Sequence, residues 1–140
     1  MTELKLQSDI VRKFSELYPE KRGQLFHVPN ERNNKTQAFV AQSIGIVPGV
    51  SDLVFFGTHI LGMNLLGIEV KLPGSSHKVS HIKSQINWAK KVELNLGRWR
   101  IVRTVEEAIN FIEGKENDGL KIKDVEQMLM ENKNKKTVKF

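Results

Sequence analysis

The 140-residue sequence contains no cysteine. Disulfides, thiolate-bound zinc and a thiol nucleophile are therefore excluded, leaving oxygen and nitrogen ligands for any metal. Long hydrophobic runs are also absent. The most apolar window, residues 53–70, is broken by Gly57, His59, Gly62, Asn64, Gly67 and Glu69, which suits two strands and a turn better than a bilayer span. Charged residues begin at Glu3 with no apolar stretch behind them, so no signal peptide is read and a cytoplasmic protein without membrane attachment is expected. No internal repeat is present. The glycines match neither the Walker nor the dinucleotide spacing, and no Ser-His-Asp arrangement stands out.

What is there is one domain's worth of chain with an excess of positive charge, +6 in all. Residues 1–70 balance at seven basic and seven acidic side chains. Residues 71–103 carry eight basic side chains (Lys71, Lys78, Lys83, Lys90, Lys91, Arg98, Arg100 and Arg103) against the single acid Glu93. Such a segment is either a solvated face or a phosphate-binding surface. Within it, Lys78, Lys83, Lys90, Arg98 and Arg100 are the candidate contacts to a phosphate backbone.

Hydrophobic periodicity predicts a mixed α/β domain with element order α-β-α-β-β-α-β-α. Thr2 caps a helix with the inward stripe Leu6, Ile10, Phe14 and Leu17, and Glu3 and Gln7 fall on the same stripe. Leu25 to Val28 reads as a strand, and Thr36 to Ile44 as a short helix. Val50 to Phe56 and Leu65 to Leu72 are strands joined by a loose connection. In the second, Leu66, Ile68, Val70 and Leu72 share one face, with Glu69 and Lys71 on the other. A helix opened by Ser80 carries Ile82, Ile86, Ala89, Val92 and Leu96 inward, with Gln85 near the stripe. A strand over 98–103 and a helix from Thr104 to Gly114 follow. Residues 1–113 are expected to form the functional domain. Residues 114–140 are expected to add a peripheral helix and a flexible basic tail from Asn132 onward.

The chemistry centres on Gly49-Val50-Ser51-Asp52 and Ile68-Glu69-Val70-Lys71. A hairpin would bring Asp52 and Glu69 to one end of the sheet, with Lys71 on the face of Glu69. Two carboxylates with a backbone carbonyl and waters suit Mg²⁺ or Mn²⁺, and a neighbouring lysine suits an attacking water. The competing reading is a surface ion pair worth about 0–1 kcal/mol. Against it, the acids interrupt apolar strands, where charge is costly to bury without a partner. Glu3, Gln7 and Gln85 add inward polar groups from flanking helices.

In these residues the sequence resembles the virus-type replication-repair nuclease (VRR-NUC) branch of the PD-(D/E)XK phosphodiesterases, particularly its small stand-alone phage forms. The resemblance runs over roughly residues 3–112. It rests on Glu3-x-x-x-Gln7, Pro29-Asn30-Glu31, Gly49-Val50-x-Asp52, Glu69-Val70-Lys71, and Gln85 with Trp88, in that order. It departs from the family pattern at Arg32, where many relatives have glycine.

The resemblance implies a restriction-endonuclease-like core and a Mg²⁺-dependent endodeoxyribonuclease, with Mn²⁺ as substitute. Glu3, Asp52, Glu69 and the Val70 carbonyl would bind metal. Lys71 would lie near the attacking water and Gln85 would position the lysine or the phosphate, with Gln7 and Asn30 in support. It also implies branched DNA of the Holliday-junction type as substrate, a homodimer, and a place in DNA repair in a bacterial host's cytoplasm; the same module forms the nuclease end of Fanconi-associated nuclease. The alternative is a non-catalytic DNA-binding module using the basic 71–103 surface. A sequence-specific restriction-type enzyme ranks behind both, because no recognition insert is visible. His77 and His81, at i and i+4, lack a third ligand and are read as solvent or phosphate contacts. Glu31 is either a loop acid or an accessory ligand. Trp88 and Trp99 either stack on bases or belong to the core.

Overall fold

A computed structural model describes residues 1–29, 40, 43–45, 47–57 and 65–140. Helix α1 spans Glu3–Leu17. The Thr2 hydroxyl accepts the Lys5 N–H at its start, and Tyr18 before Pro19 ends it. Its buried stripe is Leu6, Ile10 and Phe14. Leu17 is exposed, contrary to expectation, because Tyr18 at i+4 from Phe14 takes the next inward position, with the two rings 5.5 Å apart. The expected helix over 36–44 and the residues Asn30 and Glu31 lie mainly or wholly outside the described residues.

Strands β1 (Leu25–His27), β2 (Leu53–Phe56), β3 (Leu65–Val70) and β5 (Arg98–Val102) form a sheet in the order β1-β2-β3-β5. The first three are antiparallel and β5 runs parallel to β3, reached through helix α2 (Val79–Leu94). Leu66, Ile68 and Val70 face a core shared with α1 and helix α3 (Val105–Glu113). On the other face, Trp99 and Ile101 pack against Ile82, Ile86 and Ala89 of α2 and Val125 of helix α4 (Ile122–Glu131). Trp99 is thereby a core residue. The sheet is covered on both faces, and the restriction-endonuclease-like α/β layering expected from the sequence is borne out.

The flexible tail expected over 132–140 needs correction. Ser76–Lys78 (β4) pairs antiparallel with Thr137–Lys139 (β6), and Val138 and Phe140 are buried against the α2 layer. The polar-apolar-polar alternation of Thr137-Val138-Lys139, closed by Phe140, buries enough apolar surface to fix the segment despite its lysines.

Candidate active site

The β2–β3 pairing sets Leu53 opposite Ile68, which places Asp52 one step further on, opposite Glu69. The Val70 N–H donates to Asp52 Oδ2 at 2.8 Å and fixes that carboxylate at the strand ends. Gly49 brings the approaching chain close to α2. Its φ is +85°, and a Cβ there would sit 2.3 Å from the Ser84 carbonyl oxygen. Only glycine satisfies both the backbone angle and the contact. The loop that delivers Asp52 therefore lies directly against the helix turn that carries Gln85.

A cleft of about 310 Å³ opens at this end of the sheet, and Glu3, Gln7, Asp52, Glu69, Val70, Lys71 and Gln85 all line it. Period-2 alternation puts Glu69 and Lys71 on the α2 face, 2% and 5% exposed. Gln85 Nε2 donates to Glu69 Oε1 at 2.9 Å, and Lys71 Nζ approaches the same oxygen at 3.5 Å. Gln85 is thus tied to Glu69, and its own Oε1 is buried without a hydrogen-bond partner, as is Glu69 Oε2. Burial, and then the Asp52 charge, push the Glu69 carboxyl well above its ordinary range, with Lys71 opposing. Glu3 is raised by burial and by Asp52, against the pull of Lys71.

Two histidines join the cleft. His27 Nδ1 lies 2.9 Å from both Gln7 Nε2 and the Asp52 carbonyl oxygen, accepting from the amide in one tautomer and donating to the carbonyl in the other. His77, read from sequence as a solvent or phosphate contact, instead lies in the cleft with Nε2 3.6 Å from Glu3 Oε1 and 2.9 Å from Ser75 Oγ. The Ser75 hydroxyl donates to the Leu72 carbonyl, so it accepts from His77 and selects the Nε2–H form. Burial and Lys71 hold His77 down to about 4. The β4–β6 pairing that carries it inward was not visible in Ser76-His77-Lys78, which has no apolar alternation.

The expected DNA contacts divide. Lys78 and Lys83 are exposed and share a pocket, and Arg98 is half-buried. Lys90 is exposed but pairs with Glu126 at 3.0 Å. Arg100 is a correction. It is 3% exposed, faces the Phe111 ring and pairs with Asp118 at 3.2 Å, so it ties the 114–121 segment to the core and is closed to DNA. Asn30 lies outside the described residues.

The donor set fits a hard divalent cation. A buried carboxylate oxygen without a partner, Glu69 Oε2, faces a second carboxylate whose charge it resists, and a cation between them would relieve both conditions. Among the described residues no three carboxylate or imidazole groups close on one point, so such an ion would draw its remaining ligands from backbone and water. That is the usual habit of Mg²⁺, which keeps several waters and takes one or two carboxylates.

The mixed sheet flanked by helices is of the PD-(D/E)XK-like fold type. Within that class, the chain shares its fold with a solved structure described as a VRR_NUC domain protein. The TM-score is 0.61 at 18% identity, over 86% of this chain and 92% of that one. No family model and no curated protein matches the sequence. Among the described residues no helix is long and apolar enough to cross a membrane.

Proposed function

We propose that the protein is a Mg²⁺-dependent endodeoxyribonuclease, with Mn²⁺ as a working substitute, that hydrolyses phosphodiester bonds in branched or otherwise structured DNA such as a Holliday junction. The observation that supports this most is the buried, partnerless Glu69 Oε2, held in one cleft with Asp52, Lys71 and Gln85. Unlike the other buried atoms without a partner, this oxygen belongs to a carboxyl whose ionisation is opposed by the neighbouring Asp52 charge, a condition a cation would relieve.

Asp52, Glu69 and the Val70 carbonyl would hold the cation, with Glu3 joining through a water; the ion would supply a bound water of lowered pKa and offset charge on the scissile phosphate. Asp52 is oriented by the Val70 N–H, and Glu69 by the Gln85 amide. Lys71 keeps its ammonium at the cleft wall, where it orients the attacking water and balances charge as phosphorus gains a fifth oxygen. The leaving oxygen departs as that new bond forms. Gln7 acts through His27, whose ring reaches the Asp52 backbone. Residues 1–113 form the catalytic unit and 114–140 an accessory layer. A homodimer would offer one cleft to each of two strands, as paired incision of a junction in a phage-infected or bacterial cytoplasm requires.

The test is cleavage of a four-way junction, a flap and a linear duplex, with and without Mg²⁺. Junction cleavage that depends on metal and falls at least about 100-fold in Asp52→Ala and Lys71→Met supports the reading. No cleavage of any substrate in Mg²⁺ or Mn²⁺, or full activity in Asp52→Ala, overturns it. Light scattering that finds a monomer still making paired cuts overturns the dimer.

A further inference from the structure

A second concave surface lies outside the cleft. It is a pocket of about 590 Å³ lined by Lys78, Val79, Ser80, Lys83, Lys136 and Thr137. Three separate stretches of chain build it: the end of β4, the first turns of α2, and the approach to β6. The β4–β6 ladder sets Lys78 opposite Thr137, and the Val79 N–H donates to the Lys136 carbonyl at 2.9 Å. Lys136 is therefore fixed beside the start of α2, in the segment whose order depends on the buried Val138 and Phe140.

The charge here is one-sided. No acidic residue occurs between Lys71 and Glu93 or after Glu131, and the pocket wall holds three lysines and no carboxylate. Among the described residues, none of those three ammonium groups takes part in an ion pair, in contrast to Lys90 with Glu126. Three like charges converging on a concave surface repel one another and focus a positive potential into it, which an anion would relieve. Val79, Thr137 and the lysine stems give the lining apolar surface beside the three ammonium groups. A sugar-phosphate backbone has the matching chemistry. The α2 start adds to the field, since Lys78 at its N-cap makes no side-chain hydrogen bond to the free N–H groups.

The position relative to the cleft gives the pocket its role. His77 lines the cleft and Lys78, the next residue, lines the pocket. Successive strand residues point to opposite faces, so the pocket lies around the β4–β6 ribbon from the cleft. We propose that this pocket binds a backbone phosphate of the DNA flanking the scissile one, and that the C-terminal strand thereby serves as part of the DNA-binding surface. This rests on the DNA-binding half of the proposed function and is independent of catalysis.

The experiment is fluorescence anisotropy with a labelled four-way junction in EDTA, so that no turnover occurs, over a KCl series from 50 to 200 mM. Wild type is compared with Lys136→Gln, with the Lys78→Gln/Lys136→Gln double variant, and with Lys13→Gln. Lys13 is exposed on α1 in a patch shared with Asp9 and Glu16 and serves as a net-charge control. The slope of log K against log[salt] should shrink by about 0.9 for Lys136→Gln and about twice that for the double variant, and not for Lys13→Gln. Affinity at 150 mM should fall several-fold with each pocket lysine lost. Single-turnover cleavage at saturating DNA in Mg²⁺ should be unchanged in the control Lys13→Gln, and the melting temperature of Lys136→Gln should equal that of wild type. An unchanged slope in both pocket variants, an equal loss in Lys13→Gln, or failure of wild type to bind the junction overturns the proposal. Slope loss in a protein that cleaves nothing supports the pocket while refuting the nuclease.

Discussion

Replacing Glu69 by Gln should make the metal-free protein more stable while removing its activity. Glu69 is buried on the cleft wall with Asp52 as neighbour, and its Oε2 has no partner. The isosteric amide keeps an oxygen for the Gln85 and Lys71 contacts and turns the partnerless oxygen into an N–H₂ group able to donate toward Asp52. A hydrogen bond to a charged group contributes about 1.5–3 kcal/mol. Weaker contacts from Gln85 and Lys71 offset about 1 kcal/mol of that. Glu3 remains within the field of Lys71 as a negative partner. The net gain is about 1–2 kcal/mol, which for a domain of this size corresponds to roughly 3–8 °C in melting temperature.

The pH dependence carries the sign. Folding raises the Glu69 pKa above its unfolded value near 4.5, so below that value the carboxyl is protonated in both states and carries no charge penalty. As pH rises from there through the folded pKa, wild type loses stability that the variant keeps. The advantage of Glu69→Gln should therefore be small at pH 4, grow above it and level off. Thermal melts followed by circular dichroism in EDTA between pH 4 and 8 measure this. Adding Mg²⁺ should raise the wild-type melting temperature and leave the variant unmoved, since only wild type keeps the acid pair. A variant no more stable than wild type at pH 7.5 in EDTA, or a difference independent of pH, would refute the account of Glu69 as a buried group awaiting a cation.

Three shorter tests probe the scaffold. Gly49→Ala should cost at least about 1–3 kcal/mol in chemical denaturation, because alanine must take φ +85° and its Cβ meets the Ser84 carbonyl; cleavage should fall with it as the Asp52 loop moves off α2. Arg100→Gln should lower stability by about 1–3 kcal/mol by removing the buried guanidinium's contacts with Asp118 and the Trp99 carbonyl, while the salt slope of DNA binding stays as in wild type. Tyr18 is the sole tyrosine, and its hydroxyl donates to Glu113, which pushes the phenol up to about 12; absorbance at 295 nm should show little tyrosinate at pH 10.5, and Glu113→Gln should return the titration toward 10.

The parts legible in the sequence were those governed by strict local period. Leu66, Ile68 and Val70 alternate against Glu69 and Lys71, and that alone fixed which face each occupies. Glu3 and Gln7 could be placed on the inward side of α1 because helical period is equally strict. What escaped depended on long-range partners. Arg100 reads as a surface cation until Asp118, eighteen residues later, is brought against it by the 114–121 segment. His77 has no local signal and enters the cleft only because β6 pairs with β4. The lysine-rich end looked unfolded because composition hid two apolar side chains, Val138 and Phe140.

These corrections bear on function in one direction. Removing Arg100 from the surface and pairing Lys90 with Glu126 weakens a DNA contact spread along the whole 71–103 segment. Ordering β6 adds Lys136 beside Lys78 and Lys83, at the end of the segment nearest the cleft. The free positive charge is thus concentrated in the pocket on the other side of the β4–β6 ribbon from His77. A buried acid pair repels a polyanion unless opposite charge lies near enough to hold the backbone against it. The C-terminal strand supplies part of that charge, so under the proposed function an intact β4–β6 ladder would be required both to seat His77 in the cleft and to keep DNA over Asp52 and Glu69.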